Sequence, residues 1–305
     1  MATFLVRRLF GAVLVLFGVA VTVFIILHLT GDPALVMLPP EASREDIATF
    51  RHEYGFDKPV LVQFASFAVR AVHGDFGNSI RHGDPAMSEA LGRLPATIEL
   101  SLCALALACA VAIPAGVIAA SRRESPLDYV VRGISLVGQA APVYWLGIML
   151  ILIFGVQLGW LPVAGRGGIS HLILPTITLG AFTTAKLMRI TRSGMLDVSR
   201  LDYVRTALAK GLTPVAVTLR HTLRNALMPI VTVIGLELGN LLSGAVITET
   251  IFSWPGIGRL AVQAIYDRDY PVVEAIVVIT AAIFVGLNLL VDLMYAALDP
   301  RVTYR

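Results

Sequence analysis

The residues of this sequence that could do chemistry are polar side chains within long apolar runs. Glu237 and Asn240 are three residues apart in one run, so on a helix they share a face, and Ser243 and Gln139 are further candidates. Because a polar side chain is costly in lipid, each of the four is a candidate for a functional role. Two interpretations stay open: these residues line a translocation pathway, or they hold neighbouring helices together.

No catalytic or cofactor-binding motif accompanies these residues. The sequence has no phosphate-binding G-x-x-x-x-G-K-[ST] loop, no H-E-x-x-H, no C-x-x-C and no G-x-S-x-G. The six histidines are scattered, and Cys103 and Cys109 lie together in one apolar run, which is typical of buried free thiols. We therefore expect no enzymatic activity, no metal site and no cofactor in this chain.

Residues 189–229 form the longest polar break between the later apolar runs. They contain the start and stop signals of short helices, which predict a rigid helical structure. Ser199 and Asp202 have the spacing of a capping box and predict a helix start. The apolar residues that follow at helical spacing predict one buried stripe. They are Leu201, Val204 and Leu208.

Gly211 stands where a left-handed residue would end that helix, and Thr213 with Pro214 predicts the start of the next one. Two short helices that meet at a glycine form a compact projection between membrane spans. The sequence therefore predicts a docking site for a soluble partner. Basic residues alone would instead favour a loop that lies against anionic lipid headgroups.

The same stretch resembles a known family. DYVRTALAKG (202–211) with RHTLRNALMPIVT (220–232) is similar to the coupling segment of the dipeptide/oligopeptide/nickel family of ABC-transporter permeases. ETIFSWPGIGRL (249–260) and NLLVDLMYAALDPRVTYR (288–305) extend the resemblance over nearly the whole chain. Where the family's loose pattern is Glu-Ala-Ala, three residues and Gly, this chain has Arg205, Thr206, Ala207 and Gly211, so the glutamate is absent.

The resemblance implies that this coupling segment, residues 189–225, sits in a groove of an ATPase subunit. Closure of two such ATPases on ATP would push the segments and rock the membrane spans. The residues that the resemblance assigns to the contact with the ATPase are Asp202, Tyr203, Arg205, Thr206, Ala207, Lys210 and Gly211.

Composition places the chain in a membrane. Hydrophobic residues make up 56% of the 305 residues, charged residues make up 15%, and the mean hydropathy is +0.78. These values are typical of a polytopic membrane protein and exceed the apolar share of soluble domains. A net charge of only +3 gives little support to a nucleic-acid partner.

Six runs are long and apolar enough to predict six transmembrane helices, since the hydrocarbon core needs about 20 helical residues. The runs are 9–29, 100–120, 133–156, 172–185, 226–248 and 272–293. Pro142 lies inside the third run, Lys186 at the end of the fourth is expected to reach towards the interface, and Trp254 and Phe252 are expected near the membrane surface.

The charge distribution predicts the orientation. Fourteen of the 24 basic residues fall in the predicted inner segments, with five carboxylates, so the short loops are positive inside and both termini are predicted to be cytoplasmic. The fourteen are Arg7, Arg8, Arg122, Arg123, Arg132, Arg189, Arg192, Arg200, Arg205, Lys210, Arg220, Arg224, Arg301 and Arg305.

Between the first two spans, residues 30–95 are predicted to form a small helical extracytoplasmic module. Ser43 with Asp46 predicts one helix start, Gly55 predicts its end, and a second helix is predicted between Pro59 and Gly74. The apolar residues predicted to share a face of the second helix are Leu61, Phe64, Ala68 and Val72. The module either caps the spans or contacts a substrate-delivering protein.

The predicted architecture is an all-α membrane protein with a type I ABC importer permease fold. Residues 1–29 form the cytoplasmic start and first span, 30–95 the module, and 96–305 the core permease domain. The resemblance implies an inner-membrane permease subunit of a bacterial importer for peptides or peptide-like solutes. Its implied partners are a second homologous permease, two ABC ATPases that bind ATP and magnesium, an extracytoplasmic binding protein and the lipid membrane.

Two other functions stay open. A proton-coupled secondary transporter would use Glu237 or Asp292 as a proton carrier, although the internal repeats typical of many such proteins are not evident. A membrane-bound scaffold or enzyme would have no ATPase partner.

Overall fold

The computed structural model describes residues 2–29, 38 and 42–298, and its regular structure is helical. The helices are α1 (Ala2–Leu29), α2 (Arg44–Tyr54), α3 (Val60–Val72), α4 (Ala86–Ser121), α5 (Pro126–Ala140), α6 (Val143–Leu150, continued by π-helical Ile151–Gln157), α7 (Ile169–Ser199), α8 (Asp202–Ala209), α9 (Pro214–Ile251), α10 (Ile257–Tyr266) and α11 (Tyr270–Leu298). The all-α prediction is confirmed. The start of the predicted module, at 30–37 and 39–41, and the C-terminal residues 299–305 lie outside the described residues.

Four of the described helices are long and apolar enough to cross a membrane. They are α1, α4, α9 and α11, with spans at Val6–Ile26, Ala86–Ser121, Pro214–Ile251 and Tyr270–Leu293. The third predicted span is not one straight helix, since α5 and α6 meet at 106°. Pro142 has no backbone N–H to donate and disfavours helical geometry at Ala141, which is extended, so the helix breaks there.

The fourth predicted span falls in α7, a helix of 31 residues that is not among the candidate spans. Its inward positions are rich in threonine, and Thr178, Thr183 and Thr191 are buried. A helix enclosed by other helices need not carry the apolar surface of one that faces lipid. The six-span topology and its orientation stay predictions.

The described residues form two compact units: 2–95 with 256–289, and 96–255 with 290–298. The first unit is built around aromatic and aliphatic side chains from α1, α3, the start of α4, α10 and α11. Phe24, Phe67 and Phe76 lie in this core, and Ser79 donates a hydrogen bond to buried Asp269.

In α2 the predicted capping box is confirmed. The Ser43 hydroxyl accepts from the Asp46 N–H at 3.1 Å, and the Asp46 carboxylate accepts from the Ser43 N–H at 3.0 Å. The hydrogen bonds from Ser43 also hold the pKa of Asp46 below its usual range. Gly55 ends the helix at φ +73°, as predicted.

The predicted face of α3 is right at Phe64 and wrong at Leu61 and Val72. Phe64 and Phe67 pack inward with Ala71, whereas Leu61 and Val72 are exposed. The periodicity was compatible with either face, and the aromatic rings took the inner one because they fill the space beside Phe24, whose ring centroid is 5.3 Å from that of Phe64.

The second unit is organised by α7 and α9, which run antiparallel. Along α7 from Leu179 to Gly194, the neighbours on α9 run backwards from Leu241 to Ala226. At one end Trp254 is fully buried and donates to the Ala96 carbonyl at 2.9 Å. Trp254 and Phe252 are therefore packed in the protein interior, and their position relative to the membrane surface stays a prediction.

Candidate functional site

The coupling segment begins differently from the prediction. Ser199 is the last residue of α7, and its hydroxyl donates to the Leu196 carbonyl at 2.8 Å. Helix α8 starts after Leu201, which has no side-chain acceptor, so no capping box forms between Ser199 and Asp202. Helix α7 therefore ends at the residue that the motif assigned to the start of the next helix.

The second half of the prediction is confirmed. Gly211 has φ +84° and its N–H bonds the Leu208 carbonyl at 2.9 Å, which ends α8. The Thr213 hydroxyl accepts from the Ala216 N–H at 3.4 Å, and Pro214 occupies the first turn of α9. The chain therefore reverses direction between two capped helices within a few residues.

The segment has a small core of its own. Val204 and Ala207 on α8 are buried against Val217 of α9, with Val198 of α7 beside them. The predicted stripe was right at Val204 and wrong at Leu201 and Leu208, which are both about half exposed. Ala207, predicted to touch a partner, fills this core because only a small residue fits where the two helices meet.

The other six predicted contact residues are exposed on the surface of the segment. They are Asp202, Tyr203, Arg205, Thr206, Lys210 and Gly211. Arg205 lies 3.8 Å from Asp202, and Thr206 donates to the Asp202 carbonyl at 3.0 Å. An ion pair so exposed stabilises little, so both charges stay free to engage a partner.

No local signal predicted the π-helical stretch Val217–Leu223, which follows the first turn of α9. The Thr222 hydroxyl donates to the Val217 carbonyl five residues earlier at 3.4 Å. π-Helical turns are rare and are frequent at functional sites. This one covers the start of the RHTLRNALMPIVT motif and lies next to the predicted docking surface.

Sequence reasoning also missed an ion pair that joins α5 to the cytoplasmic end predicted for α7. Asp128 is fully buried and receives two hydrogen bonds from Arg192, at 2.6 and 2.9 Å. It also accepts from the Glu124 N–H at 3.0 Å, and Arg132 lies 3.7 Å away. Both partners had been counted only as loop charges, although Ser125 and Pro126 before Asp128 are a helix-start signal.

Glu237 is buried between α7 and α9. Its carboxylate accepts from Lys186 at 2.6 Å, from Thr183 at 2.9 Å and from Asn240 at 3.3 Å. Lys186 therefore reaches across to α9 and does not extend to the interface as predicted. Of the two open interpretations, these contacts favour the joining of neighbouring helices for Glu237.

Of the other polar candidates, Asn240 joins this cluster through its hydrogen bond to Glu237, whereas no contact with the cluster is seen for Gln139 or Ser243. Gln139 is half-buried and donates to the Ser135 carbonyl of its own helix at 3.2 Å. Asn240 and Ser243 are exposed on α9. Among the described residues, no group of three or more His, Cys, Asp or Glu side chains is arranged to hold a metal, and both cysteines are free thiols.

Comparisons with known proteins agree with this architecture. A family model described as a binding-protein-dependent transport system inner membrane component matches residues 112–304, and the N-terminal model of the same kind of component matches residues 1–101. Among similar proteins is a dipeptide transport system permease of Alkalihalophilus pseudofirmus, 41% identical over the whole of both chains. An oligopeptide transport permease of Bacillus subtilis and a glutathione transport permease of Escherichia coli are each 40% identical, also over both full chains.

Two solved structures share the fold. A chain of the inward-facing methionine ABC transporter matches with a TM-score of 0.60 and 17% identity, covering 70% of this chain and 97% of the other. A chain of an amino acid ABC transporter matches with a TM-score of 0.53 and 18% identity, covering 69% and 94%.

Proposed function

This chain belongs to the family of binding-protein-dependent transport system inner membrane components, and on that premise we propose a function for each part of it. It is a multi-pass protein of the bacterial inner membrane and a permease of the peptide importer type. Its cargo is a peptide or a peptide-like solute, since the similar permeases named above serve dipeptides, oligopeptides and glutathione.

The observation that carries the mechanism is the compact coupling segment. Its helices are locked by a buried core of Val204, Ala207 and Val217 and by the Gly211 turn, while polar and basic side chains face outward. A projection that is rigid inside and exposed outside can pass a push from a soluble partner to α7 and α9, which flank it. The partner that fits is an ATPase subunit, because this chain has no nucleotide-binding loop of its own.

The assembly needs more than one copy of each part. One chain offers one coupling segment, and an engine of two closing ATPases needs two segments, so a second, homologous permease completes the importer. The ATPases bind ATP and magnesium, and this chain is a non-catalytic subunit. An extracytoplasmic binding protein delivers the solute, and the solute passes between the two permeases.

Within the membrane, exposed Asn240 and Ser243 on α9 are the best candidates for the path, with Gln139 on α5 as a third. Glu237 serves the path indirectly. Its ion pair with Lys186 fixes α7 against α9, so the face that carries Asn240 keeps its orientation.

A proton-coupled transporter is the weaker alternative. Glu237 is already bonded to Lys186, Thr183 and Asn240, so its contacts are those of a residue that joins α7 to α9. The similar proteins are named as permeases of dipeptide and oligopeptide transport systems.

Purification from native membranes in mild detergent tests the proposal. An affinity-tagged chain is expected to bring down a second permease and an ATPase, and uptake of a radiolabelled dipeptide or oligopeptide into cells is expected to stop on ATP depletion and to survive a protonophore at constant ATP. Uptake that collapses with the proton gradient, together with a chain that purifies alone, would contradict it.

A further inference from the structure

Helix α3 (Val60–Val72) is unusually apolar for a segment between two membrane spans. It has 13 residues, of which only Gln63, Ser66 and Arg70 are polar. It is too short to cross a bilayer. An apolar stretch of this length is typical of a buried core helix or of a segment that enters the membrane without crossing it.

The position of α3 along α1 distinguishes these two cases. The Phe64 ring centroid lies 5.8 Å from that of Phe17 and 5.3 Å from that of Phe24, and Phe67 stacks on Phe24 at 6.0 Å. Phe17 is in the middle of the span Val6–Ile26, roughly 14 Å from its end at 1.5 Å per residue. Phe64 therefore packs on the half of the span that lies between its middle and its end at Ile26.

The opposite face of α3 is apolar and uncovered. Leu61 is 83% exposed and Val72 86% exposed, and Val62 and Val69 beside them are also exposed. Most large side chains of α1 are exposed as well, for example Val13 and Leu14. The two helices thus present apolar surface side by side, and a patch of this kind marks contact with a membrane or a protein.

The polar groups of α3 fit the same location. Gln63 donates to the carbonyls of Phe56 at 3.1 Å and Lys58 at 2.8 Å, so its amide is paired within the protein and does not require water. Arg70 lies in the last turn, and its charge interacts with the carboxylate of Glu274 on α11, so it too has a partner within the protein.

We propose that α3 is embedded in the bilayer beside α1, with Leu61, Val62, Val69 and Val72 facing lipid acyl chains. The predicted extracytoplasmic module is then partly a membrane structure. Its polar helix α2 stands in water, and α3 anchors it to the first span. This inference rests on the packing within the first unit and does not depend on the cargo or on the ATPase partner.

Spin labels in the assembled importer in lipid nanodiscs test the proposal. Cys103 and Cys109 are replaced by alanine, and single labels are placed at Leu61→Cys, Val69→Cys and, as the matched control on α2, Ala48→Cys. Molecular oxygen partitions into lipid and a nickel chelate stays in water. We expect the ratio of oxygen to nickel relaxation to be several-fold higher at positions 61 and 69 than at 48.

Two other results would each overturn the proposal. Nickel access at 61 and 69 equal to that at 48 would place α3 in water. Exclusion of both reagents would show that a protein, such as the second permease, covers this face. If the Leu61→Cys chain fails to assemble, Val72→Cys on the same face replaces it in the same measurement.

Discussion

At the residue scale, buried Glu237 holds the middle of the α7–α9 pair together because three side chains donate hydrogen bonds to its carboxylate. Glu237 has a cation, a hydroxyl and an amide as donors, and it is 2% exposed. Replacing one member of a buried ion pair leaves the other charge buried without a partner, which destabilises the protein. Replacing both members with apolar residues of similar volume can leave the stability nearly unchanged.

The double-mutant cycle of Lys186 and Glu237 tests this. Glu237→Leu or Lys186→Met alone is expected to destabilise the protein by about 3 kcal/mol, at the low end of the usual range because Lys186 is partly exposed. The double variant is expected to recover most of the loss in a thermal melt in nanodiscs. Additive losses would show that the pair does not interact.

The Asp128–Arg192 pair joins α5 to α7 through two parallel hydrogen bonds. Arg192→Lys keeps the charge and loses the two-pronged geometry, so we expect it to cost about 2 kcal/mol. Arg132→Lys is the matched control, because Arg132 lies 3.7 Å from the same carboxylate and is more exposed. Equal melting temperatures for the two variants would contradict the assigned role of Arg192.

These residues also show which contacts could be predicted from the sequence and which could not. Glu237 and Asn240 were identified as a shared face because helical periodicity is local. Their partners Lys186 and Thr183 are more than 50 positions away. No local rule pairs Asp128 with Arg192, since that contact depends on how α5 packs on α7.

At the scale of elements, the turn of the coupling segment depends on the backbone of one glycine. Gly211 has φ +84° and open space around a built Cβ, so a substitution there strains the backbone without a steric clash. The left-handed conformation costs an ordinary residue roughly 1 to 2 kcal/mol and a β-branched residue more.

Gly211→Val is therefore expected to loosen the turn and to uncouple ATP hydrolysis from uptake while membrane insertion is retained. Gly211→Asn should be milder, because asparagine tolerates this conformation. Gly133→Val is the control, since Gly133 is helical and equally uncrowded. The measurement is the ratio of peptide taken up to ATP hydrolysed in proteoliposomes, and an unchanged ratio for Gly211→Val would contradict the prediction.

Local sequence signals predicted some helix ends correctly and others wrongly. Gly211, Thr213 and the Ser43–Asp46 box were predicted correctly, because caps depend on residues a few positions apart. The capping box predicted at Ser199 was wrong, because Ser199 lies in the last turn of α7 and its hydroxyl bonds the Leu196 carbonyl of that helix. The bend at Pro142 was not predicted, because a proline inside an apolar run does not by itself show whether the helix continues through it.

At the scale of the whole molecule, the membrane class followed from composition, and the fold followed from the family resemblance. The arrangement of spans did not follow completely. Helix α7 lines the interior of its unit and is poor in apolar surface, so hydropathy alone understates it. Helix α3 is the opposite case, because it is apolar but, with 13 residues, too short to be predicted as a span.

The central claim is that the outward face of the coupling segment docks an ATPase, and site-specific photo-crosslinking in native membranes tests it most directly. A photoreactive residue is placed at exposed Arg205, at exposed Lys210 and, as the control, at buried Val217. We expect crosslinks to an ATPase subunit from positions 205 and 210 and none from 217. Crosslinks from 205 and 210 to lipid alone, with no ATPase captured, would contradict the account.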